Sequence, residues 1–406
     1  MLLGRALDDS YAPEVRTNLT LLTLARLSTN GAFRYVIPFL AVLARGLDIS
    51  ISEIGIALTV SQLTGLLGSV VGRWTDRGSH RLLMVGGLAS IATGAGLAAA
   101  APGVWVFGGG LVVLSLGKLV FDVALTSWVS EYVPVNGRGR VFGIIEMSWA
   151  AGLFIGVAVL GGITAIWSWR WAYAFSAVVL FAVALAMLVR LPGATPRSPS
   201  ATRAVAATRT KLTRDAWQFL VSMGFMLLSM QTMISVLGPW LQDEHGYSSG
   251  GLAAVSFGLG VFELVSSFAA VRFTDRWGGW RSVMRGGMLI VPAAALFVLT
   301  HRFVVVGLIA FAVLTLGFEY CIISSFSVAT SLVAGAPGAG LGLMFTANTI
   351  GIAAGTMMST WLYDHYGATT AVFPVVATSC VAVGLLATGL RTQGRRAASV
   401  APAART

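Results

Sequence analysis

Of 406 residues, 56% are hydrophobic and 11% are charged, a balance that excludes a soluble globular protein, whose surface needs far more charge. The net charge of +11 does not describe a nucleic-acid-binding domain, because the basic residues stand between apolar runs and do not gather in one region. A helix needs about 20 mainly apolar residues to cross a bilayer, so the length allows about twelve crossings and no separate soluble domain.

Taken in chain order, the first 16 residues carry Arg5, Asp8, Asp9, Glu14 and Arg16 and have no apolar core. They are not read as a signal peptide, and the first span is expected to act as the targeting signal. Apolar runs predict helices over 17–43, 54–74, 82–101, 104–131, 139–164 and 170–190. Residues 191–214, LPGATPRSPSATRAVAATRTKLTR, are polar, basic and rich in Ser, Thr and Pro, as a solvated linker would be. A second set of helices is expected over 215–241, 250–272, 282–299, 303–334, 339–363 and 369–390. The fold class read from this is an all-α membrane protein of twelve transmembrane helices in two pseudo-symmetric six-helix bundles. The bundles are residues 1–190 and 215–406, joined by a cytoplasmic linker at 191–214, with a cytoplasmic tail after the last helix.

Basic residues orient the chain. With both termini inside, the tails and inner loops hold most of the arginines, from Arg5 to Arg405, and the outer loops hold Arg45, Arg170 and Arg302. That asymmetry follows the positive-inside rule and predicts cytoplasmic termini in a plasma (inner) membrane. Cys321 and Cys380 fall in apolar spans and are read as packing residues.

An offset of about 200 residues aligns the halves, as expected of an internal duplication. GRWTDRGSHRLLMVGG at 72–87 matches VRFTDRWGGWRSVMRGG at 271–287, and LSLG at 114–117 matches LTLG at 314–317. Gly143, Gly152 and Gly156 recur as Gly342, Gly351 and Gly355 with the same spacing.

Gly72, Asp76, Arg77 and Arg81 in GRWTDRGSHR, repeated at Asp275, Arg276, Gly278 and Arg281, resemble the loop signature GxLaDrxGrkxxl of the major facilitator superfamily. The resemblance covers the whole chain and departs at Ser79, where a second Gly is expected, and at Val271, where the copied motif should begin with Gly. It implies alternating access between two rocking halves, with these loops gating the cytoplasmic side. A carboxylate there can bond helix N-terminal amides or a nearby arginine in a latch that opens as the halves move. The predicted fifth helix partly resembles the glycine run of the family's drug/proton antiporters: Gly143, Gly152 and Gly156 fall correctly, Val157 replaces a Pro, and Gly161 and Gly162 come one residue late. The same small residues also serve close helix packing in lipid.

Seven charged residues lie away from the ends of the predicted spans, toward the bilayer centre: Arg26, Arg34, Lys118, Asp122, Glu146, Glu263 and Glu319. Such groups are costly in a bilayer, so each is a candidate for the transport pathway. Arg26, Asn30 and Arg34 recur every four residues and form one stripe, and Lys118 and Asp122 do the same. At about 1.5 Å per residue, Arg26, Asp122 and Glu146 share a depth, and so do Lys118 and Glu319. Asp122 and Glu319 are expected to couple transport to protons, with Glu146 and Glu263 behind them, and a static ion pair is the alternative. Gln231 and Asn348 are mid-helix polar groups placed to touch substrate. Trp149, Phe225, Met226, Met230 and Phe318 are read first as packing.

No phosphate loop is present, since Val112 stands where GxxxxGK around Gly117 and Lys118 requires Gly. The four histidines lie apart without metal spacing, and there is no nucleophile elbow or HExxH. Neither a cofactor nor a metal is expected, and an enzyme is not. The expected function is secondary transport of a small molecule, as proton-coupled efflux of drug-like or amphipathic compounds by a monomer. The alternative is uptake of a small anionic solute held by Arg26, Arg34 and Lys118. From another class, a membrane receptor or a membrane enzyme such as an acyltransferase remains open.

Overall fold

The computed structural model describes residues 3–7, 11–68, 70–71, 74, 79–133, 141, 144–145, 147–191, 212–329, 331–333 and 337–400. Among these the chain is helical, with no strand. Helix α1 runs Pro13–Tyr35 and resumes as Leu40–Leu47 after a 63° bend. The sequence reads 17–43 as one run. Pro38 breaks it, because a proline has no N–H for the helical ladder and its ring crowds the preceding turn.

Asp48 at φ 55 ends that segment, and Ser50 with Glu53 forms a reciprocal capping box that starts α2. Helix α2 (Ile51–Leu63) tightens into a 3-10 turn at Thr64–Leu67. Then follow α3 (His80–Ala100), α4 (Val104–Tyr132), α5 (Met147–Ile166, with a π turn at Gly152–Val157) and α6 (Trp169–Arg190). The second set is α7 (Arg214–Pro239, with a π turn at Trp240–Glu244), α8 (Ser249–Trp277), α9 (Gly279–Thr300), α10 (Val304–Ala329), α11 (Gly340–Ala368) and α12 (Thr370–Gln393). Gly367, at φ 77, takes the turn between the last two.

Ten of these helices are long and apolar enough to cross a membrane, and bent α1 makes eleven. The shorter apolar stretch Ile51–Leu67 supplies the twelfth of the expected pattern. Exposed Val178 (69%) and Leu299 (80%) suit lipid, which is as apolar as they are.

Glycines set the helix crossings, and they do so twice. An added Cβ on Gly87 of α3 would stand 2.8 Å from Gly117 O of α4, and one on Gly286 of α9 would stand 2.7 Å from Gly317 O of α10. These are equivalent places in the two halves, so the duplication seen in the sequence recurs as duplicated packing.

The chain packs into two compact units. One is Met1–Arg197 with Leu237–Val261, and the other is Ser198–Val236 with Phe262–Thr406. The end of α7 and the start of α8 therefore belong to the first unit. Arg45 there bonds Asp243 at 2.6 Å and Gln242 at 2.8 Å, and Gly260 lies against Phe154.

Candidate functional site

The candidate site of the first unit grows from the polar stripe on α1. Its three members reach two different neighbours. Asn30 Nδ2 donates to Ser148 O of α5 at 3.1 Å, and Arg34 Nη1 donates to Trp149 O at 3.0 Å. Arg26 instead turns to α4, where Nε lies 3.7 Å from Asp122 Oδ1.

Close approach makes these bonds reachable. A Cβ on Gly152 would stand 2.6 Å from Asn30 Cβ, and one on Gly156 would stand 2.7 Å from Gly31 Cα. Both glycines lie in the π turn of α5, which shifts the backbone register next to the carbonyls that Asn30 and Arg34 use.

On α4, Gly117 and Phe121 meet α3, so Lys118 and Asp122, one turn apart, look elsewhere on the helix. Lys118 Nζ donates to Asp122 Oδ2 at 2.6 Å. Asp122 thus bridges two cations on two helices. Lys118 is buried and Asp122 is about a third exposed at 31%, so the carboxylate is the more accessible of the pair. Trp149 carries cations too: Arg34 Cζ lies 4.6 Å and Lys118 Nζ 5.9 Å from its ring, and Phe33 is 5.7 Å from Lys118 Nζ. A cation near a ring face is attracted by the ring quadrupole, which gives Trp149 a place in the cluster beyond packing. The sequence reads Trp149 as a packing residue, and nothing in the residue pattern marks it out.

In the second unit, Glu263 of α8 is buried at 2% and Glu319 of α10 at 5%. Ser266, one turn past Glu263, donates to Leu316 O of α10 at 2.8 Å. Gln231 of α7 and Asn348 of α11 are buried, and Gln231 Nε2 donates to Ser235 Oγ at 3.3 Å. Gly351 and Gly355 press α11 on α7: a Cβ at Gly351 would stand 2.1 Å from Gly224 O and one at Gly355 would stand 2.6 Å from Leu228 O. Gly342 meets open space. The expected pairing of Lys118 with Glu319 would join residues of different units, and within its own unit Lys118 holds Asp122.

Of the predicted gating loops, Gly72, Asp76 and Arg77 lie outside the described residues, as do Gly143 and Glu146. Arg81 donates to Leu188 O near the end of α6, where a cation also favours the helix dipole. Ser79, the departure from the loop signature, is the N-cap of α3: its Oγ accepts from Leu82 N at 3.5 Å. Gly278 holds the equivalent place before α9 at φ 81, a conformation that favours glycine. Asp275 sits in the last turns of α8, and Arg276 and Arg281 are exposed on either side of Gly278.

The Major Facilitator Superfamily profile matches residues 22–356. The chain belongs to the major facilitator superfamily. Two chloramphenicol efflux pumps of Mycobacterium tuberculosis, from strains CDC 1551 and H37Rv, are each 24% identical over 381 residues, 87% of this chain and 88% of theirs. A bacterial homologue of the human lysosomal transporter Spinster, in an inward-facing and occupied conformation, matches with TM-score 0.78 at 16% identity, over 94% of this chain and 98% of its own. The nucleoside transporter NupG gives 0.74 at 16% identity over 92% and 99%, and the human organic anion transporter MFSD10 gives 0.68 at 18% over 93% and 100%. These structural likenesses show the fold. Family and fold make the chain a polytopic membrane transporter of small molecules, and they point away from an enzyme.

Proposed function

We propose that this transporter exports drug-like or amphipathic molecules in exchange for protons, from a monomer in a bacterial inner membrane with both termini cytoplasmic. The observation that carries the reading is Asp122 shared by Lys118 at 2.6 Å and Arg26 at 3.7 Å. A proton placed on Asp122 removes the charge that holds the two cations together. Lys118 and Arg26 then repel each other, and α1 and α4 lose their link. Substrate and proton in this way compete for one arrangement of charges, which is what antiport requires. Glu319 and Glu263, buried in the second unit, are further carriers on this reading. Export is supported by the mycobacterial relatives, which are chloramphenicol efflux pumps.

A second reading has its own observation. Arg26, Arg34 and Lys118 gather around Asp122 and Trp149, and such a group suits a carboxylate or phosphate, as uptake of an anionic solute would need. Inverted vesicles separate the two. Chloramphenicol that accumulates when the interior is acid supports antiport, and its loss under the same gradient supports symport.

A further inference from the structure

Four exposed arginines flank the turn between α8 and α9. Arg272 and Arg276 stand one turn apart at the end of α8, and Arg281 and Arg285 one turn apart at the start of α9. Asp275 is the one acidic residue in that stretch. The positive-inside rule accounts for arginines at this place, but not for the way they are held. Arg285 Cζ lies 4.1 Å from the centre of the Trp277 ring, Trp277 stacks on Phe273 at 4.8 Å, and Arg272 Cζ lies 5.9 Å from the Phe273 ring. A guanidinium over a ring is fixed in position yet keeps its N–H edge for another partner. Tryptophan is also a residue that settles at the headgroup level of a bilayer.

The two copies of the loop use their arginines differently. Arg81 of the first unit donates to Leu188 O, whereas its counterpart Arg281, like Arg276, has no hydrogen bond or ion pair among the described residues. Beyond the arginines the same face of α9 is apolar. Arg281, Arg285, Met288, Pro292, Leu296 and Leu299 follow at spacings of three or four residues and are all exposed, so they form one stripe on the outside of the helix. Val283, Ile290 and Phe297 are buried on the opposite face. At about 1.5 Å per residue the stretch from Arg285 to Leu299 rises roughly 21 Å, more than the ~15 Å of hydrocarbon in one leaflet.

A stripe that is cationic at one end and apolar for the rest has the polarity of a phospholipid. A soluble anion would use only its arginine end. We propose that Arg276, Arg281, Arg285 and Trp277 hold the headgroup of an anionic phospholipid in the cytoplasmic leaflet, with an acyl chain laid along the α9 stripe. The guanidinium forks of Arg276 and Arg281 match the phosphate oxygens, and Arg285 reaches the same level from one turn deeper, as long cationic side chains do near a helix end. The site lies wholly in the second unit and does not depend on the transport reading.

Native mass spectrometry of the full-length protein in detergent micelles tests this, with phosphatidylglycerol and phosphatidylcholine of the same acyl chains as probes. Both carry a phosphate, but the choline ammonium cancels its charge. Wild type is expected to bind its first phosphatidylglycerol about tenfold or more tighter than its first phosphatidylcholine. Arg276→Gln combined with Arg281→Gln is expected to bring that ratio close to one. Arg190→Gln combined with Arg214→Gln, which removes the same charge from exposed residues at two other helix ends, is expected to keep it. Substitutions at exposed positions such as these leave the fold intact, and a micelle has no sides, so the result is independent of the chain's orientation. Equal binding of the two lipids by wild type, a ratio kept by the Arg276 and Arg281 variant, or an equal loss in the Arg190 and Arg214 variant overturns the site. Displacement of the lipid by millimolar glycerol 3-phosphate overturns it too, since the patch would then take a soluble phosphate without any acyl chain.

Discussion

Asp122 answers to two cations at once, and that makes it the residue whose replacement is most informative. Asp122→Asn keeps the size and removes the charge that holds Lys118 and Arg26. Proton-driven flux is expected to fall by roughly tenfold or more, the effect of losing about 1.4 kcal/mol from the coupled step, while binding of the protein to the membrane is unaffected. Glu319→Gln is expected to act in the same direction. If both variants keep wild-type flux in proteoliposomes, neither residue couples transport.

The meeting of Arg26 with Asp122 was legible in the sequence, because rise per residue sets depth and oppositely charged groups at one depth on neighbouring helices find each other. The partner of Arg34 was not. It bonds the backbone carbonyl of Trp149, and a backbone acceptor leaves no mark in a residue pattern. Nor did the sequence distinguish Trp149 from the packing aromatics, since ring position relative to a cation depends on helix rotation.

At the scale of the helices, glycines decide. Gly156 sits in the π turn of α5 with no room for a side chain beside Gly31. Gly156→Val is expected to destabilise the protein by about 1–3 kcal/mol, the usual cost of overpacking a fitted core. Gly342, equally part of the repeated pattern, faces open space, so Gly342→Ala is expected to leave the melting temperature unchanged or slightly higher. Thermal melts in detergent compare the two, and equal losses would contradict the assignment of the crossing to Gly156.

Helix ends tell a similar story. Ser79 departs from the loop signature because it caps α3, and Ser79→Ala is expected to cost about 1 kcal/mol, whereas Ser79→Gly costs only a few tenths. Helix number and order were readable from apolar runs. The bend at Pro38 and the π turns at Gly152–Val157 and Trp240–Glu244 were not, because a run of apolar residues reports burial in lipid and is silent about local bonding register.

For the whole molecule, duplication is the organising fact. The sequence offset of about 200 residues is matched by the paired crossings at Gly87 with Gly117 and Gly286 with Gly317. The first compact unit, however, also takes in residues 237–261, where Arg45 bonds Asp243 and Gln242. An apolar pattern cannot foretell that, because both ends of α7 read alike. Charge swapping checks the contact. Arg45→Asp is expected to lower the melting temperature, and adding Asp243→Arg is expected to restore part of it; no recovery would mean the pair contributes nothing, as exposed pairs sometimes do.

The central claim is that the chain exchanges protons for an exported molecule through Asp122. Chloramphenicol flux into inverted vesicles or proteoliposomes under an imposed pH gradient, acid inside, tests it most directly. Accumulation that collapses with the gradient and is lost in Asp122→Asn is the predicted result, and uptake that ignores the gradient, or an Asp122→Asn variant that accumulates as wild type does, would contradict it.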